Sequence, residues 1–231
     1  MTLAQSLDAL FLDAGGVLVH PNWVRVSEAL ARHGVRAPAA ALSAAEPYAK
    51  LEIDRREVVA GADDHGRGWL YFNKVLRLAG VTLSDATNAA LEELHTYHAV
   101  SNLWETTSPD AADALARFRE MGLRLTVVSN ANGRLRHLLA RLDLLQWFDV
   151  AIDSFEEGVE KPDPRLFHIA LQRTRAPAAR VMHVGDLYHI DVVGARAAGL
   201  RAALIDPAGL YPDADCLRVT SLTDLADKLA R

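Results

Sequence analysis

The chain has 231 residues, half of them hydrophobic, a formal net charge of −5 and one cysteine. This length supports one sizeable core, or one core with a small accessory domain. The acidic balance argues against nucleic acid as a partner, and a lone Cys216 excludes an internal disulfide and suits a reducing cytoplasm. The start, MTLAQSLDALFLDAGG, lacks a basic region and is interrupted by Asp8 and Asp13, so it does not read as a secretion signal. No apolar run reaches the roughly 18 residues of a membrane span, so no membrane partner is expected.

Residues 7–12 read as an apolar strand that stops at Asp13, followed by the turn Ala14-Gly15-Gly16. That order sets a carboxylate at the mouth of a sheet, and glycine lets backbone approach a ligand closely. Residues 22–34 carry Trp23, Val26, Ala29 and Leu30 at helical spacing. Residues 39–56, 64–79 and 84–100 also read helical, with Ser84 as a cap and Leu91, Leu94 and His95 as a stripe. From about 21 to 103 the pattern is helices, a helical insertion after the first strand. Ser108 then suits an N-cap and Pro109 a first helical position, for a helix to Met121 closed by Gly122. Residues 123–128 form a continuous apolar run, the mark of a strand buried on both faces. A helix is expected over 134–144, a strand over 148–152 and a helix over 165–173 opened by Pro164. The chain closes with a strand over 181–184, a helix over 190–198, a strand over 202–205 and a helix over 222–230. Alternating helices and strands argue for a parallel sheet covered on both faces. Ligands then sit beyond the carboxyl ends of the strands, where strand order reverses.

Three more polar clusters follow strand ends: Ser129-Asn130, Lys161-Pro162-Asp163-Pro164, and Gly185-Asp186 with Asp191 five residues on. Each alone has an ordinary reading, as a helix cap, a loop and a turn. Together they bring a hydroxyl, a lysine and further carboxylates to the same rim as Asp13.

The four segments LFLDAGGVL, VVSN, GVEKPDPRLF and HVGDLYHID resemble the motifs of the haloacid dehalogenase (HAD) superfamily of hydrolases. The resemblance implies an α/β fold, a Rossmann-like doubly wound parallel sheet formed by residues 1–20 and 104–231, with an inserted helical-bundle cap over 21–103. It implies Asp13 as nucleophile, forming an aspartyl-phosphate that water then hydrolyses. Ser129 would bond a phosphoryl oxygen, and Lys161 would neutralise charge on the nucleophile and the phosphoryl group. Mg²⁺ would be held by Asp13, Asp186 and the Gly15 carbonyl, with Asp191 a supporting carboxylate that orients Lys161 or a metal-bound water. Asn130 would bind substrate or fix its turn. The partner implied is a small-molecule phosphate ester, with oligomeric state open.

One departure stands out. The family pattern commonly has a second Asp, the general acid and base, where this chain has Gly15. Such proton transfer is worth about 10²–10⁴ in rate. Four readings follow. A phosphatase with altered proton handling would favour good leaving groups or use another residue, His20 being the nearest titratable one, though a turn histidine beside Pro21 is its plainer role. A 2-haloacid dehalogenase also lacks that Asp, but resembles a D-x-Y-G-T pattern and lacks the metal-binding Gly-Asp kept here at Gly185-Asp186. A phosphonatase uses a cap lysine, for which Lys50 and Lys74 are in place without a signature around either. A catalytically weak binding protein is the fourth, with only Gly15 in its favour. Trp23 reads as core or as a cap hinge, and Arg55, Arg56 and Arg67 as a solvated face or substrate contacts. His183 reads as a hydrogen-bonded core residue, and the basic stretch 134–141 as an exposed helix face.

Overall fold

The computed structural model describes residues 2–61 and 64–231, less the side chains of Ala60, Asp64, His65, Arg67 and Trp69. The expectation for Arg67 therefore lies outside the described residues. The chain divides into two compact units, Met1–His20 with Thr107–Arg231, and Pro21–Thr106.

The first unit opens with a 3-10 turn, Ala4–Ser6, and strand β1, Ala9–Leu12. No residue of β1 is exposed. At about 1.5–3 kcal/mol for each large apolar side chain buried, Leu10, Phe11 and Leu12 anchor the sheet around them. In the turn that follows, Gly16 has a φ of 76°, left-handed backbone that glycine takes without strain. The Ala14 carbonyl accepts from the amides of Leu18 and Val19, both at 2.9 Å, and the turn delivers β2, Val19–His20.

The second unit holds α1, Trp23–Arg32; α2, Ala39–Ile53; α3, Arg56–Gly61; α4, Asp64–Leu78; and α5, Asp85–Ser101. The Asn22 side chain accepts from the Arg25 amide to cap α1, and Ser84 and Thr87 form a reciprocal capping box on α5. The apolar stripes meet in one core that includes Trp23, Leu30, Leu42, Tyr71, Val75 and Leu91. Near its polar edge, Glu105 accepts from Asn22 Nδ2 at 3.0 Å, Arg25 Nε at 2.7 Å and the Tyr97 hydroxyl at 2.8 Å. One carboxylate thus joins the start of α1 to α5.

Strand β3, Thr106–Thr107, pairs with β2 in a two-stranded sheet. There follow α6, Ala111–Glu120; β4, Arg124–Ser129; α7, Leu135–Arg141; β5, Val150–Asp153; α8, Ser154–Glu157; and α9, Pro164–Thr174. The chain ends with β6, Val181–Gly185; a π-helical turn, Tyr188–Val192; α10, Val193–Ala197; β7, Arg201–Ile205; β8, Leu217–Val219; and α11, Leu222–Leu229. Six strands form one sheet in the order β5-β4-β1-β6-β7-β8, with parallel pairing throughout. The chain winds outward from β1 through β4 to β5, then restarts at β6 on the other side of β1. Strand order therefore reverses at β1, and a doubly wound α/β sheet opens its ligand crevice at such a point.

Besides the short β2, β3, α3 and α8, which the sequence reading does not contain, three features differ from it. Strand β8 is a three-residue edge whose middle residue is exposed, too short for a hydrophobic period to reveal. Ser108 does not cap α6, which starts after Asp110. Its hydroxyl is buried and donates to the Val17 carbonyl at 2.8 Å, while Asp110 accepts from the Thr223 amide at 2.9 Å and hydroxyl at 3.1 Å, joining α6 to α11. The helix expected over 190–198 divides into the π-helical turn and the short α10, a division tied to the work of Asp191 below.

Candidate active site

The register of the sheet brings the polar clusters together. Leu12 sits opposite Val127 of β4 and Val184 of β6, so Asp13, one residue on, emerges between the ends of those strands. Its amide donates to the Val184 carbonyl at 2.9 Å. Ser129 is the last residue of β4 and is buried. Asp186 follows the last residue of β6. Lys161 arrives on the loop between α8 and α9.

Lys161 is 1% exposed, and its ammonium lies 2.9 Å from Asp13 Oδ1 and 2.7 Å from Asp191 Oδ1. Its main chain is gripped as well. Asn130 Oδ1 accepts from the Lys161 amide at 2.7 Å, and Asn130 Nδ2 donates to the Lys161 carbonyl at 3.0 Å. Both ends of the Asn130 amide engage Lys161, so of the two roles open to Asn130 in the sequence, the geometry displays the turn-fixing one. The next residues are pinned from β5 and α8. The Ser154 hydroxyl accepts from the Ala131 amide at 3.0 Å, and Asp153 accepts from the amides of Leu135 at 3.1 Å and Phe155 at 3.0 Å.

Asp191 has no exposed surface. Its Oδ1 accepts from Lys161 Nζ at 2.7 Å and pairs with His183 Nε2 at 2.9 Å. Its Oδ2 accepts from the amides of Asp186 at 3.2 Å and Leu187 at 3.1 Å. Four partners occupy the roughly four acceptor directions of a carboxylate. The fit is close enough that a Cβ on Gly185 would lie 2.1 Å from Asp191 Cγ. Glycine is required there by contact, not by backbone angle.

Carboxylate oxygens of Asp13, Asp186 and Asp191 lie within 4.8 Å of one another. Two of the three, Asp13 and Asp191, reach the Lys161 ammonium, so carboxyl groups outnumber the lysine in this cluster. Burial raises the Asp13 carboxyl above its usual range; Lys161 opposes this, Asp191 adds to it, and the Ser129 hydroxyl opposes it further. Burial works the same way on Asp191, but the Lys161 charge and the His183 hydrogen bond outweigh it and hold Asp191 well below the usual carboxylate range. Lys161 is pushed up, because its two carboxylates outweigh a burial that alone would lower it. Gly15 lies two residues beyond Asp13 and bridges to Val19 across the turn. Hard oxygen donors in this number and charge fit Mg²⁺.

The remaining sequence candidates fall as follows. Arg55 and Arg56 are exposed. Trp23 is buried and donates its indole N–H to Glu46 Oε2 at 3.0 Å. Lys50 pairs with Glu46 at 2.8 Å, and Lys74 pairs with Glu52. His20 Nε2 lies 2.8 Å from the Ser108 hydroxyl. That hydroxyl gives its proton to Val17, so the ring nitrogen is the donor. Helix α7 buries Leu135, Leu138 and Leu139 and exposes Arg136 and Arg141, an ordinary amphipathic surface helix. His183 is the hydrogen-bonded core residue that the sequence suggests, but its partner, Asp191, is not legible there; eight residues of separation carry no periodic signal for such a pair. Among the described residues no helix is long and apolar enough to cross a membrane.

The haloacid dehalogenase-like hydrolase family model matches residues 7–199. A haloacid dehalogenase-like hydrolase domain-containing protein 3 from Bos taurus is 32% identical over 194 residues, covering 81% of this chain and 76% of that protein. In four other relatives of that name the match covers 42% to 55% of their length, so the chain spans about half of most of them. A ribulose-1,5-bisphosphate 5-phosphatase from Halopiger xanaduensis is 30% identical over 164 residues, 67% of this chain and 64% of that one. A putative HAD-hydrolase from Bacillus subtilis, bound to magnesium, superposes with a TM-score of 0.70 at 15% identity over 97% of this chain and 99% of its own. A 2-haloacid dehalogenase from Pseudomonas syringae gives a TM-score of 0.60 at 25% identity over 97% and 99%. With the sheet, the four strand-end clusters and these likenesses in agreement, the chain belongs to the haloacid dehalogenase-like hydrolases.

Proposed function

We propose that this hydrolase is a Mg²⁺-dependent phosphatase acting on a small phosphorylated metabolite. The observation that carries the reading is a partly buried Asp13 carboxylate, 2.9 Å from the Lys161 ammonium, in a cluster that also holds the carboxylates of Asp186 and Asp191. Asp13 attacks phosphorus, its carboxylate oxygen displaces the leaving oxygen, and water then cleaves the aspartyl-phosphate. Splitting one displacement into two is the benefit of a covalent intermediate. Like-charge repulsion between a carboxylate and a phosphate is the main obstacle, and positioned positive charge offsets it. Lys161 supplies one such charge. Mg²⁺, held by Asp13, Asp186 and the Gly15 carbonyl, would supply the rest and favour the ionised form of Asp13. Ser129 donates to a phosphoryl oxygen. Asp191 has its acceptor directions occupied by protein donors, so its role is to orient Lys161. The helical unit, Pro21–Thr106, acts as the cap that selects the substrate. A ribulose-1,5-bisphosphate 5-phosphatase and a glyceraldehyde 3-phosphate phosphatase among the relatives favour a small sugar or triose phosphate. The single, partly buried Cys216 fits a reducing cytoplasm.

Gly15 has no side chain to protonate a leaving oxygen, so a sugar or triose phosphate needs its leaving-group proton from another group, and esters whose leaving group needs no proton are hydrolysed faster. The same gap is the one argument for 2-haloacid dehalogenation, where halide leaves without a proton. The surplus of carboxylates and the Gly185-Asp186 pair support the phosphatase. A panel of alkyl, aryl and acyl phosphates and 2-haloacids, assayed with and without Mg²⁺, tests the reading. Mg²⁺-dependent phosphate release, faster from aryl than from alkyl esters, is expected. Halide release without phosphate release overturns it.

A further inference from the structure

The mechanism leaves one titratable group of the buried cluster unused. His183 sits in the middle of β6, opposite Phe11 of β1 and Ala202 of β7, with no exposed surface. Its Nε2 is 2.9 Å from Asp191 Oδ1, the same oxygen that accepts from Lys161 at 2.7 Å. Its ring meets Phe167 edge-on at 4.9 Å between centroids, and its Nδ1 has no hydrogen-bond partner. A polar ring in a β-branched and leucine core is costly unless its hydrogen bond has a purpose.

The tautomer follows from the partner. Asp191 is held below the usual carboxylate range by Lys161 and this histidine, and an ionised carboxylate only accepts. The proton is therefore on Nε2, and a proton on Nδ1 would be a buried donor with nothing to receive it. Asp191 is in turn fixed on both oxygens by groups outside the reacting pair, through the amides of Asp186 and Leu187 on Oδ2 and His183 on Oδ1. Without the Nε2–H, Oδ1 keeps Lys161 alone, and the carboxylate is free to rotate about its Oδ2 bonds and follow the lysine.

We propose that His183 is a positioning residue: through Nε2–H it fixes the Asp191 carboxylate, which holds the Lys161 ammonium against Asp13. The proposal deepens the phosphatase reading and rests on it for its kinetic arm. His183 touches neither Asp13 nor the position of a substrate; it acts through Asp191. Partners one shell removed from the chemistry typically cost 10–100-fold in activity when lost.

The test compares three variants of the full chain. His183→Gln can present an amide N–H near the Nε2 position. His183→Leu removes the donor with similar bulk. His183→Asn keeps a buried amide but is too short to reach Asp191, and it serves where the leucine variant fails to fold. Loss of the donor is expected to lower kcat about tenfold or more with KM within about twofold, and His183→Gln to recover most of it. Hydrogen exchange supplies a reading independent of turnover. The Asp186 and Leu187 amides, bonded to Asp191 Oδ2, are expected to exchange faster in the leucine or asparagine variant while amides of β4 and β7 keep their protection, and to stay slow in His183→Gln. Equal kcat in wild type and the donor-less variants, or equal loss in all three, overturns the proposal. So does an Nδ1–H tautomer in the imidazole nitrogen spectrum of the wild type. If the wild type hydrolyses no phosphate ester, the phosphatase reading falls, and exchange and tautomer still decide the role of His183.

Discussion

Two carboxylates, Glu105 half-buried and Asp191 fully buried, divide this molecule between them. Glu105 in the helical unit gathers Asn22, Arg25 and Tyr97, and Arg25 lies 4.0 Å over the Tyr97 ring. One acid meets one base there, with neutral donors filling the rest. Asp191 in the sheet unit gathers Lys161, His183 and two amides, but its lysine is shared with Asp13, and a third carboxylate, Asp186, lies close to both acids. Both carboxylates have their acceptor directions filled by donors. Only the second leaves charge unbalanced. A balanced buried pair holds elements together; an unbalanced one stores electrostatic tension that a cation or a substrate can relieve.

The sharpest way to break the comparison is at Asp13. Asp13→Asn keeps the shape of the side chain and removes the proposed nucleophile, so phosphate release is expected to fall on the order of 10³-fold or more. The same change removes one of the acids around Lys161, so thermal stability is expected to hold or rise. A variant that loses folding as well as activity would mean the cluster is structural, as Glu105 is. Next comes Gly185→Ala. Its Cβ would lie 2.1 Å from Asp191 Cγ, and overpacking of this kind costs about 1–3 kcal/mol. Urea unfolding should register that cost, and activity should fall with it because the displaced group holds Lys161. An unchanged urea midpoint would show that Asp191 can move aside.

How much of this could be read from residues alone differs between the two networks. Asp13, Ser129, Lys161 and Asp186 each follow a strand or sit in a short polar segment after one, so the sheet's own order brings them to one rim. The strand pattern announces itself through runs such as Leu125, Val127 and Val128, all buried. Asn130 was visible, but its grip on both sides of the Lys161 main chain depends on two loops 31 residues apart meeting in register. The π-helical turn at Tyr188–Val192 was invisible for a similar reason. It turns Asp191 back onto Gly185 and the amides of Asp186 and Leu187, a tertiary demand that helical spacing does not encode. Ser108 shows the opposite error. Its local context, Ser-Pro-Asp, is a good helix start, yet a buried bond to Val17 and the His20 ring hold it elsewhere. Glu105 had no local signal at all, since its partners lie up to 83 residues away.

Glu105→Gln sharpens the other side of the comparison. Burial would raise this carboxyl, and the bonds from Arg25, Tyr97 and Asn22 outweigh it, so its folded pKa lies below the ordinary value. A depressed folded pKa means that its stabilisation is present above the unfolded value, about 4.3 for Glu, and is lost as pH falls through the lower folded value. At pH 7 the glutamine variant is expected to lose about 1.5–3 kcal/mol, the range for hydrogen bonds to a charged group. The two proteins should converge as the pH falls through and below the ordinary carboxylate range, where wild-type Glu105 takes up its proton. A constant difference across that range would mean the loss comes from packing and not from charge. Turnover per folded molecule should stay near wild type on this reading, because no excess charge is being removed.

The smallest effect is expected where the same kinds of group meet in water. Glu93 bonds Arg32 and His33, but its side chain is 40% exposed and that of Arg32 53%. Arg32 and His33 lower the Glu93 carboxyl, as charged partners do, yet solvent and salt screen the pair and fixing two long side chains offsets most of the gain. Glu93→Gln should leave the urea midpoint where it is at physiological salt, with any difference at low salt fading as salt is added. The ladder from Asp13 through Glu105 to Glu93 then separates three consequences of one chemical group. Unbalanced and shielded from water, a carboxylate is poised for chemistry; balanced and shielded, it joins elements; balanced and solvated, it does little. A clear, salt-resistant loss in Glu93→Gln would break that ordering, because it would show that an exposed pair in the helical unit carries weight comparable to a buried one.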